Sequence, residues 1–94
     1  MKFEWDPRKA ALNFVKHRVS FEEATTAFRD PQSTSAADPD HSADEDRFIA
    51  VGLSSGGRML AVSFTGRKDS IRIISARRAT KDEREIYEKG QIRT

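Results

Sequence analysis

Ninety-four residues with 36% hydrophobic side chains and no cysteine describe one small domain spanning 1–94, with a limited core. They exclude a disulfide framework and a cysteine-based zinc site. The net charge of +2 conceals an asymmetry: residues 1–46 carry six Lys/Arg and ten Asp/Glu (net −4), residues 47–94 eleven and five (net +6), which suits a polyanionic partner.

In chain order, Lys2–Trp5 alternates, with Phe3 and Trp5 on one side, and predicts a short strand. Asp6-Pro7 predicts a helix start, because aspartate caps well and proline tolerates the first helical position. That helix is expected from Pro7 to about His17, with Ala11, Phe14 and Val15, and Leu12 on the flank, as its core face. After a break at Arg18-Val19, Ser20 and Glu23 have capping-box spacing, and Val19 with Ala24 forms a hydrophobic staple. The second helix is expected from Phe21 to about Arg29, burying Phe21, Ala24 and Phe28, and Asp30-Pro31 ends it. Gln32–Ala37 reads as a weak edge strand, and Asp38–Asp46 as an exposed loop. A meander follows, with strands at Arg47–Leu53, Arg58–Thr65 and Ile71–Ala76. Ser54-Ser55-Gly56-Gly57 makes the first hairpin turn and Gly66–Ser70 the second. Ile49, Val51 and Leu53 share one face, as do Leu60, Val62 and Phe64, and both faces are expected to meet helices. A last helix opens with a Thr80/Glu83 capping box and is expected to stop at Gly90, leaving Gln91–Thr94 as a tail. The order β-α-α-β-β-β-β-α predicts an α+β fold with an antiparallel sheet packed by helices.

Several motifs stand together along nearly the whole chain: FEWDP at Phe3–Pro7, KH at Lys16-His17, VSFEEA at Val19–Ala24, FRDP at Phe28–Pro31 and RIISARRAT at Arg72–Thr80, followed by Glu83-Arg84 and Tyr87-Glu88. In this set the chain resembles the BrnT family, toxins of type II toxin–antitoxin modules. The resemblance implies a RelE-like ribonuclease fold and a metal-independent endoribonuclease that cuts RNA and arrests growth. It also implies a BrnA-type antitoxin that neutralises the toxin and links it to DNA, and an RNA substrate; no cofactor and no membrane are implied. One position departs from the family pattern: Arg18 stands where a glycine usually follows KH, at a turn that favours a left-handed residue.

Metal-free RNA cleavage needs a base for the 2′-hydroxyl, cations for the phosphorane-like transition state and an acid for the leaving 5′-oxygen. His17 is the proton-transfer candidate, since its unperturbed pKa lies near the working pH. Lys16, Arg67, Arg72 and Arg77 are the candidates for holding phosphate, arginine's planar fork matching two phosphate oxygens. Arg58, Lys68 and Arg78 are further RNA-contact candidates. Tyr87 is either a base-stacking residue or part of the core. Strand alternation puts Arg72 and Arg77 on opposite faces unless a bulge intervenes. Asp38, Asp40 and His41 make only a loose metal-ligand set, and Gly56-Gly57 is a turn rather than a phosphate loop. Two other readings stand beside the nuclease: a non-catalytic nucleic-acid-binding module, and a decayed toxin that retains antitoxin binding. With no apolar run of membrane-span length and no signal-peptide core in MKFEWDP, a cytoplasmic location is expected.

Overall fold

The computed structural model describes residues 2–38 and 47–92, the last two by backbone alone. The elements are β1 (Lys2–Glu4), α1 (Pro7–His17), α2 (Phe21–Ala27), β2 (Thr34–Ala37), β3 (Arg47–Leu53), β4 (Met59–Gly66), β5 (Ser70–Arg78) and α3 (Lys81–Ile92). This is the order that the sequence predicts. The strands form one sheet in the order β1-β5-β4-β3-β2. It is not antiparallel throughout: β1 pairs parallel to β5, with Phe3 opposite Ile71. A hairpin forces antiparallel neighbours, but β1 and β5 are separated by most of the chain, so no tight turn constrains them. The sheet is therefore mixed.

The two sheet faces meet different helices. On one face Leu60, Val62, Ile73 and Ala76 pack with Val19 and with Phe21, Ala24 and Ala27 of α2. Phe28 joins the ends of this core, 5.4 Å from the Phe3 ring and 5.1 Å from Phe64. Gly52 lets α2 come this close: a Cβ there would lie 2.5 Å from the carbonyl oxygen of Ala27. On the other face Val51 and Ala61 pack under Tyr87 of α3, with Ile49 and Met59 beside them. Farther from α3, the same face carries Ser63, Ser75, Arg72 and Glu4, which are half-buried or exposed.

The helix starts follow local chemistry. Asp6 accepts from the amide of Arg8 (2.8 Å) ahead of Pro7. Thr80 and Glu83 complete the expected box: the Thr80 amide donates to Glu83 Oε1 (2.8 Å) and the Glu83 amide to Thr80 Oγ1 (3.2 Å). The other box is half made. The Glu23 amide donates to Ser20 Oγ (3.0 Å), but the Glu23 carboxylate turns away to Arg58 and Ser54. Gly90 does not stop α3, which continues to Ile92. One internal glycine costs only about 1 kcal/mol relative to alanine, and the chain makes no left-handed turn there.

The expected core face of α1 is overturned. Asn13 is buried, with Ala10 and His17 half-buried, while Leu12 and Val15 are each 70% exposed and Phe14 45%. The reason is the open edge of β5 beyond its short pairing with β1. The Asn13 side-chain amide accepts from the Ala76 N–H (3.1 Å) and donates to the Ala76 carbonyl (2.8 Å), as a neighbouring strand would. It also donates to the carbonyl of Val19 (2.9 Å). The helix is thus docked by hydrogen bonds to a strand edge, and its apolar stripe points outward.

Candidate nucleic-acid interface

Strand β5 carries the arginines, and one irregularity decides where they point. Ser75 pairs with Ser63 and Ile73 with Phe64, so Ile74 has no partner on β4 and forms a bulge. Beyond it, Arg72 lies opposite Thr65 and Arg77 opposite Ala61. Thr65 and Ala61 are four apart on β4 and so share a face. The bulge therefore brings Arg72 and Arg77 to the same side of the sheet, the side away from α2.

Across that face the register places Glu4, Arg72, Thr65 and Arg47 in one row. With strands about 4.8 Å apart, Arg72 and Arg47 straddle Thr65. Thr65 is 2% exposed and its Oγ1 has no hydrogen-bond partner among the described residues. A buried hydroxyl without a partner is uncommon in a native fold. The carboxylate of Glu4 lies 3.9 Å from Arg67 Nε and 4.0 Å from Arg72 Nη1, so it draws the loop arginine toward the strand arginine. Arg67 also closes the hairpin, its amide donating to the Ser70 carbonyl (2.8 Å), and Lys68 is exposed beside it.

Two further candidate arginines are engaged by carboxylates. Arg77 holds Glu83 fork to fork, Nη1 to Oε1 at 2.7 Å and Nη2 to Oε2 at 2.9 Å. The pair ties β5 to the first turn of α3. The Arg77 hydrogen bond holds the Glu83 carboxyl below the usual glutamate range despite partial burial. Glu83 in turn raises Arg77 against partial burial, and the field of the buried Asp38 adds to this. Arg58 likewise grips Glu23 with Nε (3.0 Å) and Nη2, and Nη2 also donates to the carbonyl of Arg18 (3.0 Å). Glu23 is held below its usual range, first by Arg58 and then by Ser54 Oγ at 2.7 Å, against the effect of burial. Arg58 is thus a clamp joining α1, α2 and β4.

His17 and Lys16 lie at the other end of the sheet from Arg72. Asn13, one turn before His17, is fixed at Ala76, and Arg18, next after it, is bonded by Arg58 just ahead of β4. At that end Arg78 lies opposite Leu60. Arg58, Arg78 and Arg84 line a cavity of about 290 Å³ over Leu53, Met59 and Ala79. Leu60 and Thr65 are five residues apart, roughly 17 Å of strand. The sequence candidates therefore fall into two clusters: Arg67, Lys68 and Arg72 at one end, and Lys16, His17, Arg58 and Arg78 at the other, with Arg77 between. No hydrogen bond or ion pair joins His17 to an arginine among the described residues. Arg18 takes the left-handed turn itself (φ 58°), its amide donating to the Phe14 carbonyl (2.8 Å), so helix α1 ends where a glycine would end it.

Tyr87 belongs to the core and not to an RNA-stacking surface. It is 6% exposed, and its hydroxyl donates to Asp30 Oδ2 (2.6 Å). Asp30 also accepts from the amides of Leu53 (2.8 Å) and Gln32 (2.9 Å). Burial pushes its carboxyl up, but these bonds prevail and hold it below its usual range. Of the loose metal-ligand set, Asp40 and His41 lie outside the described residues. Sequence reasoning missed Glu4, Arg47, Thr65 and Arg84. Glu4 and Thr65 enter through pairing register, which composition does not carry. Arg84 stands in a quoted motif, but its nearness to Arg78 depends on how α3 folds back.

A family model described as "Ribonuclease toxin, BrnT, of type II toxin-antitoxin system" matches residues 5–83. Among solved structures, the 1.1 Å crystal structure of the Brucella abortus ribonuclease toxin BrnT is similar. It is 26% identical, with a TM-score of 0.62, over 86% of this chain and 99% of that one. No curated protein matches.

Proposed function

The chain belongs to the BrnT family of ribonuclease toxins of type II toxin–antitoxin systems, and on that premise we propose that it is a metal-independent, RelE-like endoribonuclease. Its RNA-cutting face is the part of the sheet beside α3 that carries Glu4, Arg72, Thr65 and Arg47. The supporting observation is the row itself: two guanidinium groups on either side of a buried hydroxyl that has no partner among the described residues, with a carboxylate at one end. Arg72 and Arg47 hold the scissile phosphate and oppose the charge that builds on its equatorial oxygens. Glu4, between Arg67 and Arg72, takes the 2′-hydroxyl proton, the 2′-oxygen attacks phosphorus, and the 5′-oxygen departs as the alcohol with a proton taken from solvent water. Arg67 and Lys68 extend the cationic track along the strand. Arg77 lends its field from the same face while holding Glu83, and Lys16, His17 and Arg78 contact RNA that runs on to the far end of the sheet.

Expression of the chain alone arrests growth in this reading, and a BrnA-type antitoxin relieves it. Arg18 occupies its turn without moving the helix end, which favours an active toxin over a decayed one. The test is digestion of a mixed-sequence RNA by the purified protein in EDTA. Cleavage to 2′,3′-cyclic phosphate ends, lost in Glu4→Gln and retained in His17→Ala, is the expected result. Intact RNA at every pH overturns the enzyme reading in favour of a non-catalytic binding module.

A further inference from the structure

We propose that the outward face of α1 is the docking surface for the protein antitoxin, and that the segment it receives is an amphipathic helix with acidic flanks. The proposal rests on the reading of this chain as a toxin with a protein antitoxin. Leu12, Phe14 and Val15 supply three of the five exposed large hydrophobic residues among the described residues. They sit on one helix of eleven residues, and Ala11 fills the gap at four residues before Val15. The arrangement is built and not frayed, because Asn13 fixes the helix to Ala76 and leaves it no freedom to roll the stripe inward. An apolar ridge of this kind on a small protein marks a contact surface.

Its rim selects the partner. Arg8, Lys9 and Arg18 surround the ridge, and α1 itself has no acidic residue. Its cap Asp6 is turned to the Arg8 amide. A second copy of the chain docked face to face would set like charges against each other, so self-association is disfavoured. RNA has phosphates for the rim but nothing to bury aliphatic Leu12 and Val15. A protein helix with leucine-like residues on one face and glutamates or aspartates beside them meets both requirements. Ala10, on the inner side of the same helix, joins the core on the α2 side of the sheet, whereas Arg72, Thr65 and Arg47 face the α3 side. Docking through α1 therefore leaves the row Arg72, Thr65 and Arg47 uncovered, and blocking of that row falls to another part of the antitoxin.

That separation provides the test. The probe is the purified product of the reading frame adjacent to this chain's own, titrated against wild type, Leu12→Glu/Val15→Glu and Arg8→Glu/Lys9→Glu. The apolar double variant loses about 100-fold or more in affinity, while its melting temperature and RNA digestion stay at wild-type levels. The charge variant loses about tenfold, and its binding becomes less sensitive to salt. Wild-type affinity in the apolar variant overturns the proposed surface while leaving the toxin reading intact. Absence of any binding by wild type overturns the antitoxin reading, and the proposal with it. The surface assignment is equally overturned if the variant abolishes only self-association in sedimentation, or only adsorption to phosphatidylglycerol vesicles, with antitoxin binding unchanged.

Discussion

Asn13 shows how one side chain can redirect a helix. By periodicity α1 is amphipathic, and the apolar residues were the natural choice for its buried face. Asn13 outweighs them because three backbone groups, the N–H and carbonyl of Ala76 and the carbonyl of Val19, have it as their partner. Leaving such groups unpaired costs about 1–3 kcal/mol each. Asn13→Ala is therefore predicted to destabilise the protein by roughly 3 kcal/mol or more. Asn13→Asp should be nearly as costly, because a carboxylate faces two carbonyls it cannot donate to. Urea denaturation measures both, and a loss below about 1 kcal/mol would contradict the strand-like role. Arg18 is the opposite case, a residue in a backbone conformation that favours glycine (φ 58°). A non-glycine residue there costs about 1–2 kcal/mol. Its guanidinium lies 5.7 Å over the Phe14 ring and returns part of that. Arg18→Gly is predicted to raise stability by about 0.5–1 kcal/mol with the helix end unmoved; a lower unfolding midpoint would refute the strain.

At the scale of elements, the helix starts were legible because a cap is a local contract between residues three apart. The Thr80–Glu83 box formed as its spacing implies. The Ser20–Glu23 box was only half legible, since Arg58, far along the chain, competes for the Glu23 carboxylate. Strand parity was legible too: it separates Arg72 from Arg77 unless a bulge intervenes. No residue type announces that the bulge falls at Ile74, because it is set by the pairing with β4. The two carboxylate clamps also fix how the fold answers acid. Glu23 and Glu83 have folded-state values below the ordinary 4.5. Their contribution is therefore complete above that value and is lost as pH falls through the lower folded values. Thermal stability is predicted to be level at neutral pH and to fall steeply below about pH 4.5. Glu83→Gln should lower stability at pH 7 and flatten the acid limb. An acid limb unchanged in the variant would show that Arg77 and Glu83 do not form the clamp.

For the whole molecule, the charge imbalance between chain halves comes from the meander, since α3 has three Lys/Arg against four Asp/Glu. It could not say that the cations divide between two ends of one sheet. That division depends on β1 running parallel to β5, which brings Glu4 to Arg72, and on Asn13 and Arg58 holding the end of α1 at the far side. A site combining His17 with Arg72, natural on the sequence, is separated by the fold. The central claim is that the row Arg72, Thr65 and Arg47 handles the scissile phosphate, and not the cluster of Arg78 and Arg84. Single-turnover RNA cleavage in EDTA by Arg72→Ala and Arg78→Ala, both confirmed folded by their melting curves, compares the two directly. The account predicts a loss of about 100-fold or more for Arg72→Ala and only a few-fold for Arg78→Ala, whereas the reverse ranking would place the chemistry at the other end of the sheet and contradict it.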